Sequence, residues 1–240
     1  MNKIFISFFN LILLCGVLIA QDYTIDEKQI LVKNKEKKYE IKLTYPQLNV
    51  RLKSAYYGFN TLVKKTMEAE RDSFIVWMKD WEINEYNKEF SSEYEIGDSV
   101  YYADNDLISV HFYCYSYFAG AAHPNNWSFT INYDLENSRE LFMKDLLNAG
   151  WENKISEICI KDITKQKSEN GMEPSEWISE GAGPKADNFK VFNITKEGLL
   201  ITFSTYTVGS YAEGPSEVFI IYSSIKDLIK QNGPLKNFIK

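Results

Sequence analysis

Two hydrophobic periods divide the chain. Over residues 24–33 and 37–45 apolar and polar positions alternate, Ile41 and Leu43 against Lys42 and Thr44, around the charged turn Lys33-Asn34-Lys35-Glu36. A period of two predicts a pair of half-buried strands. Pro46 is expected to end the second, since proline has no amide for a ladder. From Asn49 the period lengthens: Leu52, Tyr56, Phe59, Val63 and Met67 recur every three or four residues, and Phe74, Trp77 and Met78 extend the series. That spacing predicts an amphipathic helix to about Trp81, with a break allowed near Glu70.

The period of two returns at Glu93–Ala103 and Leu107–Phe118, on either side of the turn sequence Asp104-Asn105-Asp106. In the second run His111, Tyr113, Tyr115 and Tyr117 oppose Phe112, Cys114, Ser116 and Phe118. In the next, Trp127, Phe129, Ile131 and Tyr133 oppose Ser128, Thr130, Asn132 and Asp134. Each is expected to pack one face and wet the other. Leu141 to Leu147 predicts a short helix or turn. Trp151 to Lys167 predicts a helix with Trp151, Ile155, Ile158, Cys159 and Ile163 on its apolar side. Residues 168–188 predict a long loop with one turn at 174–180. Short strands are predicted near 189–194, 199–204 and 217–222, then a helical turn at Ser224–Ile229 and a frayed tail around Gly233-Pro234. Strands that follow one another without crossover helices predict antiparallel pairing. The fold class is therefore α+β, with antiparallel sheets, a long amphipathic helix near the N-terminus and a second helix before the C-terminal strands.

Composition narrows the functional classes. The 240 residues are 45% hydrophobic and 25% charged, with a formal net charge of -6. Positive charge is neither in excess nor gathered into a stripe, so nothing points to nucleic acid. Aromatic content is high, at 16 Tyr and 15 Phe, which suits strands and contact surfaces. At the amino terminus Lys3 precedes an apolar run from Ile4 to Leu18, and Ala20-Gln21 offers a cleavage point, the pattern of an export signal over 1–20. Lipidation at Cys15 is the alternative. The run is too short for a retained membrane span. An exported chain keeps Cys114 and Cys159, which either bridge or remain buried thiols. A bridge closing that loop of about 45 residues adds about 4 kcal/mol in the chain-entropy model.

Candidate chemistry gathers in two loops. Tyr117-Phe118-Ala119-Gly120-Ala121-Ala122-His123-Pro124 joins two patterned strands through small residues. Tyr206-Thr207-Val208-Gly209-Ser210-Tyr211-Ala212-Glu213-Gly214-Pro215 lies between two others. His123 could bond loop backbone, contact a ligand, or act as base or metal ligand. Metal binding needs further ligands, and the only other histidine, His111, is twelve residues away on a strand. His111 and Cys114 are three apart on a strand and so project to opposite faces, a poor nucleophile and base. No phosphate-binding loop is present. Among the acids Glu213 stands out by its loop, as a solvated charge or an acid/base. The tyrosines of 113–117 and 206–211 combine apolar area with a polar tip, which suits partner or glycan surfaces.

These loops carry a resemblance. Tyr117, Gly120, Ala122, His123 and Pro124, then Asn132-Tyr133-Asp134-Leu135 and Lys144-Asp145-Leu146, fit one family pattern. Phe192, Gly198, Leu199, Phe203, Tyr206, Tyr211, Gly214 and Pro215 fit a second, in order, and the Tyr45-Pro46 entry to the long helix agrees. The chain resembles the RsiV-like and PdaC-like extracytoplasmic domain family, in which domains of unknown function 4163 and 3298 are paired. Ala121 departs from it, standing where the family usually has a second glycine. The membrane span and cytoplasmic region of the anti-sigma members, and the catalytic domain of the deacetylase members, have no counterpart in this sequence.

The resemblance implies a first α+β lobe over 21–135, a second over 136–229 packed on it, and a tail at 230–240. It implies an exported recognition domain in the periplasm or envelope of a Gram-negative bacterium, without enzymatic activity or cofactor. The ligand is expected to be a lysozyme-like protein or a peptidoglycan-derived glycan. The expected binding residues are Tyr117, Gly120, His123, Tyr206, Tyr211, Glu213 and Gly214. Two other classes stay open: an enzyme on envelope polysaccharide with Glu213 or His123 as acid/base, and a structural periplasmic protein.

Overall fold

The computed structural model describes residues 23–50 and 56–239. The predicted export signal and Cys15 lie outside the described residues. The elements run β1 (Tyr23–Asn34), β2 (Tyr39–Val50), α1 (Tyr56–Lys79), β3 (Ser92–Ala103), β4 (Leu107–Tyr117), β5 (Asn125–Asp134), β6 (Arg139–Glu140), α2 (Met143–Leu146), α3 (Trp151–Glu169), α4 (Glu176–Gly181), β7 (Phe192–Ile194), β8 (Gly198–Phe203) and β9 (Ser216–Ile221), with short 3-10 turns in the second half. The fold is α+β: a six-stranded sheet in sequential order β1 to β6, and a three-stranded sheet, β7-β8-β9.

Three local expectations are corrected. First, β2 does not stop at Pro46 but runs on to Val50, with Pro46 opposite Glu27 of β1. β3 accompanies β2 only as far as Leu43, so Pro46 sits where β2 has become an edge, and an edge strand tolerates a missing amide. Second, the β2–β3 pair is parallel. α1 is the crossover between them, which makes β2-α1-β3 a βαβ unit. Third, α1 is continuous past Glu70. Its buried stripe of Tyr56, Phe59, Val63, Met67, Phe74 and Met78 fits the helical period throughout.

Two cores result. α1 packs on the inner face of the large sheet, against Ile41, Leu43, Tyr94, Ile96, Phe112, Cys114, Ile131 and Tyr133. Phe74 stacks on Tyr94 with ring centroids 5.0 Å apart. In the second core Trp151, Ile155, Cys159 and Ile163 of α3 lie against Phe192, Leu199, Ile201, Phe203, Val218 and Ile220 of the small sheet. Cys114 belongs to the first core and Cys159 to the second, so the possible bridge is corrected: both are free, buried thiols. Burial pushes the Cys159 thiol up to about 12, and the Cys114 thiol also upward. The tail is not frayed either. Leu235 is fully buried, and Phe238 packs on Tyr102 and Tyr222.

The first half of β4 is buried on both faces, because β7 covers the side expected to meet water. The joint between the two sheets is polar. Ser109 Oγ donates to Asn132 Oδ1 at 2.7 Å, Asn193 Nδ2 donates to Ser109 Oγ at 3.0 Å, and His111 Nδ1 lies 2.8 Å from Asn193 Oδ1. His111 is fully buried, and its Nε2 has no hydrogen-bond partner. Facing a carbonyl-type oxygen, Nδ1 carries the proton and Nε2 is an empty acceptor; a second proton there would be buried and unpaired. Desolvation accordingly lowers the His111 pKa, partly opposed by the Asn193 bond. A depressed histidine contributes stability that is present above its unfolded value, about 6.5, and lost as pH falls below it. The urea midpoint is expected to drop between pH 7 and 5, and His111→Gln is expected to flatten that segment; identical slopes for both proteins would contradict the assignment.

Candidate functional site

The two loops picked out by sequence meet at the far end of β4 and β5. β8 leaves the small sheet at Phe203 and turns over Ser204–Thr207, closed by the Thr207 amide on the Ser204 carbonyl at 3.1 Å. Two bonds fasten this turn to β5: the Ser128 amide donates to Ser204 Oγ at 3.1 Å, and Thr205 Oγ1 donates to the Asn126 carbonyl at 2.8 Å. Tyr206, the third residue of the turn, has φ 67°. An L-residue in this left-handed region costs about 1–2 kcal/mol, and glycine is the usual occupant. The residue so displayed is 49% exposed.

From there a line of rings crosses the two loops. Trp177 of α4 lies 6.4 Å from Tyr206, Tyr206 lies 5.8 Å from Tyr211, and Tyr211 stacks on His123 at 4.2 Å, all between ring centroids. Asn126 Nδ2 donates to the Tyr211 hydroxyl at 3.3 Å. His123 is exposed, and its Nδ1 lies 2.8 Å from the Pro124 carbonyl, which makes that nitrogen a donor. The His123–Tyr211 stack therefore latches the 117–124 loop to the 206–214 loop.

A partly buried ion pair supports the latch from below. Lys167 Nζ, at the end of α3, donates to the Val208 carbonyl at 2.6 Å and to Glu213 Oε2 at 2.5 Å. The Lys167 side chain is 5% exposed and that of Glu213 25%. Glu213 Oε1 accepts the Ser210 amide at 2.7 Å. The Lys167 bond, and then the bonds from Ser210, hold the Glu213 carboxyl down at about 2. Glu213 is thus ionised and committed, a strut for the loop rather than an acid/base. A side chain at Gly209 would press on Lys167 Nζ and the Glu213 carboxyl, which would have to shift, and Gly214 turns with φ 74°, which requires glycine.

Of the expected site residues, the structure brings His123, Tyr206, Tyr211 and Glu213 into one connected arrangement. Gly214 ends that loop. Gly120 turns the other loop with φ 89°, against Asn87. Tyr117 stays on β4, half-buried and opposite Glu93, without a ring contact to the others. Trp177, Asn126 and Lys167 were missed. Lys167 did leave a signal: it continues the apolar stripe Trp151, Ile155, Cys159, Ile163 by one further turn, a lysine where a core residue belongs. Trp177 was hidden in a segment without periodicity. Among the described residues no group of three or more His, Cys, Asp or Glu is arranged to hold a metal ion, and no helix is long and apolar enough to cross a membrane.

Fold and site define a class: a two-core α+β protein in which loops of both halves interlock through aromatic rings. Residues 32–126 match the family model described as deacetylase PdaC, and residues 144–223 match that of a protein of unknown function, DUF3298. The two halves of the chain thus match two different family models, one each. The chain is similar to the peptidoglycan-N-acetylmuramic acid deacetylase PdaC of Bacillus subtilis (strain 168), 28% identical over 176 residues, which are 72% of this chain and 36% of that relative's length. A DUF3298 family member from Bacteroides fragilis has the same fold with TM-score 0.65 at 15% identity, covering 92% of this chain and 98% of its own. A DUF3298 family protein from Pseudomonas aeruginosa follows at 0.62 and 14%, covering 88% and 97%. The expectation of a recognition domain without enzymatic activity is corrected by the first of these relatives, which is named as an enzyme.

Proposed function

We propose that this chain is an exported cell-envelope protein that recognises wall glycan where the 117–126 and 206–215 loops meet. The observation that carries the reading is the line Trp177, Tyr206, Tyr211, His123, in which both loops offer rings at one surface. Sugar rings present flat C–H faces that pack on aromatic rings, while Tyr hydroxyls and Asn126 supply hydrogen bonds at the edges. Support also comes from a relative named for an activity on peptidoglycan. The left-handed Tyr206 agrees with this, since backbone strain of that kind gathers at binding sites.

Tyr206 gives the test. Tyr206→Ala keeps the unfavourable backbone and loses the ring contacts to Trp177 and Tyr211, so it should destabilise by about 1 kcal/mol. Tyr206→Gly relieves the backbone while loosening the unfolded chain, and should leave stability within about 1 kcal/mol of the parent. Both should weaken binding of soluble muropeptides about tenfold or more in calorimetry. Binding that survives both substitutions, or no muropeptide binding by the parent chain, would sink the reading; capture of lysozyme instead would move the ligand to a protein.

A second reading, deacetylation of the same polymer, is favoured by the name of the curated relative. Acetate release from purified peptidoglycan tests it directly.

A further inference from the structure

At the opposite end of β4 from the loops lies a cavity of about 910 Å³, lined by the β3–β4 turn, the β5–β6 turn and the chain from Lys226 to Ile239. Its charges divide unevenly along the sequence: acids prevail on the turns, where Arg139 is the exception, and lysines on the carboxyl-terminal segment, where Asp227 is the exception. The turns bring Asp106 and Glu136, and the carboxyl-terminal segment brings Lys226 and Lys236. The other turn acids are already engaged. Asp104 Oδ1 accepts the amides of Asp106 and Leu107, and Asp145 is paired with Arg139 at 2.8 Å. Asp106, Glu136, Lys226 and Lys236 form no ion pair among the described residues.

Opposite charges around one cavity attract one another over its width. They are held apart because the lysine-bearing segment is fixed by apolar anchors: Leu235 in the second core, Phe238 between Tyr102 and Tyr222, and the Ile229–Leu147 bridge. The segment does not have to be ordered when a ligand arrives, which favours binding. A ligand with one charge would gain from one side and lose to the other. A molecule with both signs satisfies both, and Leu107, Ile229 and Phe238 add apolar lining.

We propose that this cavity binds a short zwitterionic peptide, its ammonium towards Asp106 and Glu136 and its carboxylate towards Lys226 and Lys236. The size lies within the range of small-ligand sites, towards its upper end. Free peptides and peptides released from the wall share that chemistry.

Calorimetry of the chain with tetra-alanine carrying free ends, and with its N-acetylated and C-amidated forms, tests the assignment. Blocking either end should weaken binding at least tenfold. Asp106→Asn should erase the discrimination against the acetylated form, and Lys236→Gln that against the amide. Neither carboxylate nor ammonium has a structural partner, so unfolding curves of both variants should match the parent. Equal affinity for free and blocked peptides, or no binding of tetra-alanine, overturns the proposal. A wall stem tetrapeptide binding more tightly than tetra-alanine would identify the wall as source; weaker binding would identify free peptides.

Discussion

Glu213→Gln is expected to lower the unfolding free energy by about 2–3 kcal/mol, although Glu213 lies in a surface loop. Glutamine keeps one acceptor oxygen: turned to Lys167 it sets its amide against the Ser210 N–H, and turned to Ser210 it leaves Lys167, 5% exposed, with the Val208 carbonyl. Removing one member of a buried pair costs about 3–5 kcal/mol, and the partial exposure of Glu213 places this pair below that range. Lys167→Met should cost less, about 1 kcal/mol, because methionine completes the apolar stripe of α3 and the freed carboxylate can turn to water. The order of the two variants is thus the reverse of what exposure alone suggests. The pH dependence follows. Glu213 drops from its ordinary 4.5 to about 2 in the folded chain, so its contribution is complete above about 4.5 and is lost as pH falls towards 2. Urea midpoints measured from pH 5 to 2 should decline less steeply for Glu213→Gln than for the parent.

Gly181→Ala should destabilise by about 1–3 kcal/mol and weaken muropeptide binding together. A methyl group at Gly181 would occupy the place of the Thr207 carbonyl oxygen and press on Val208 Cγ1. Neither backbone can yield without parting α4 from the 206–214 loop, the overpacking case. The parting would carry Trp177 away from Tyr206. Gly97→Ala is the control. Nothing lies within 4 Å of the added methyl, and its φ is outside the left-handed region, so stability should stay within about 0.5 kcal/mol and binding should not change. Calorimetric titration and urea unfolding of both variants check this; unchanged binding by Gly181→Ala would remove α4 from the site.

Legibility in the sequence followed the range of the forces involved. The stripe of α1, the alternation of β4 and β5 and the small-residue corners were legible, since period and turn chemistry act between near neighbours. β2 beyond Pro46 was not. Its tolerance of proline depends on where β3 leaves it, which is a matter of pairing partners. The cysteines could not be assigned from spacing, because only the placement of the sheet separates the two cores. Tyr206 gave no local sign of a left-handed backbone. The bonds to Ser128 and Asn126, 76 and 79 residues away, hold its turn in place.

By itself the sequence determined the α+β class and the two loops rich in small and aromatic residues, because these rest on local periodicity and on residue types at short spacing. The tertiary structure alone decided that β2 and β3 run parallel, that Glu213 is a strut, and that His123 closes against Tyr211. Each of these is a contact between segments far apart in the chain. Whether a charged or aromatic side chain is solvated, paired or stacked depends on what the fold lays across it.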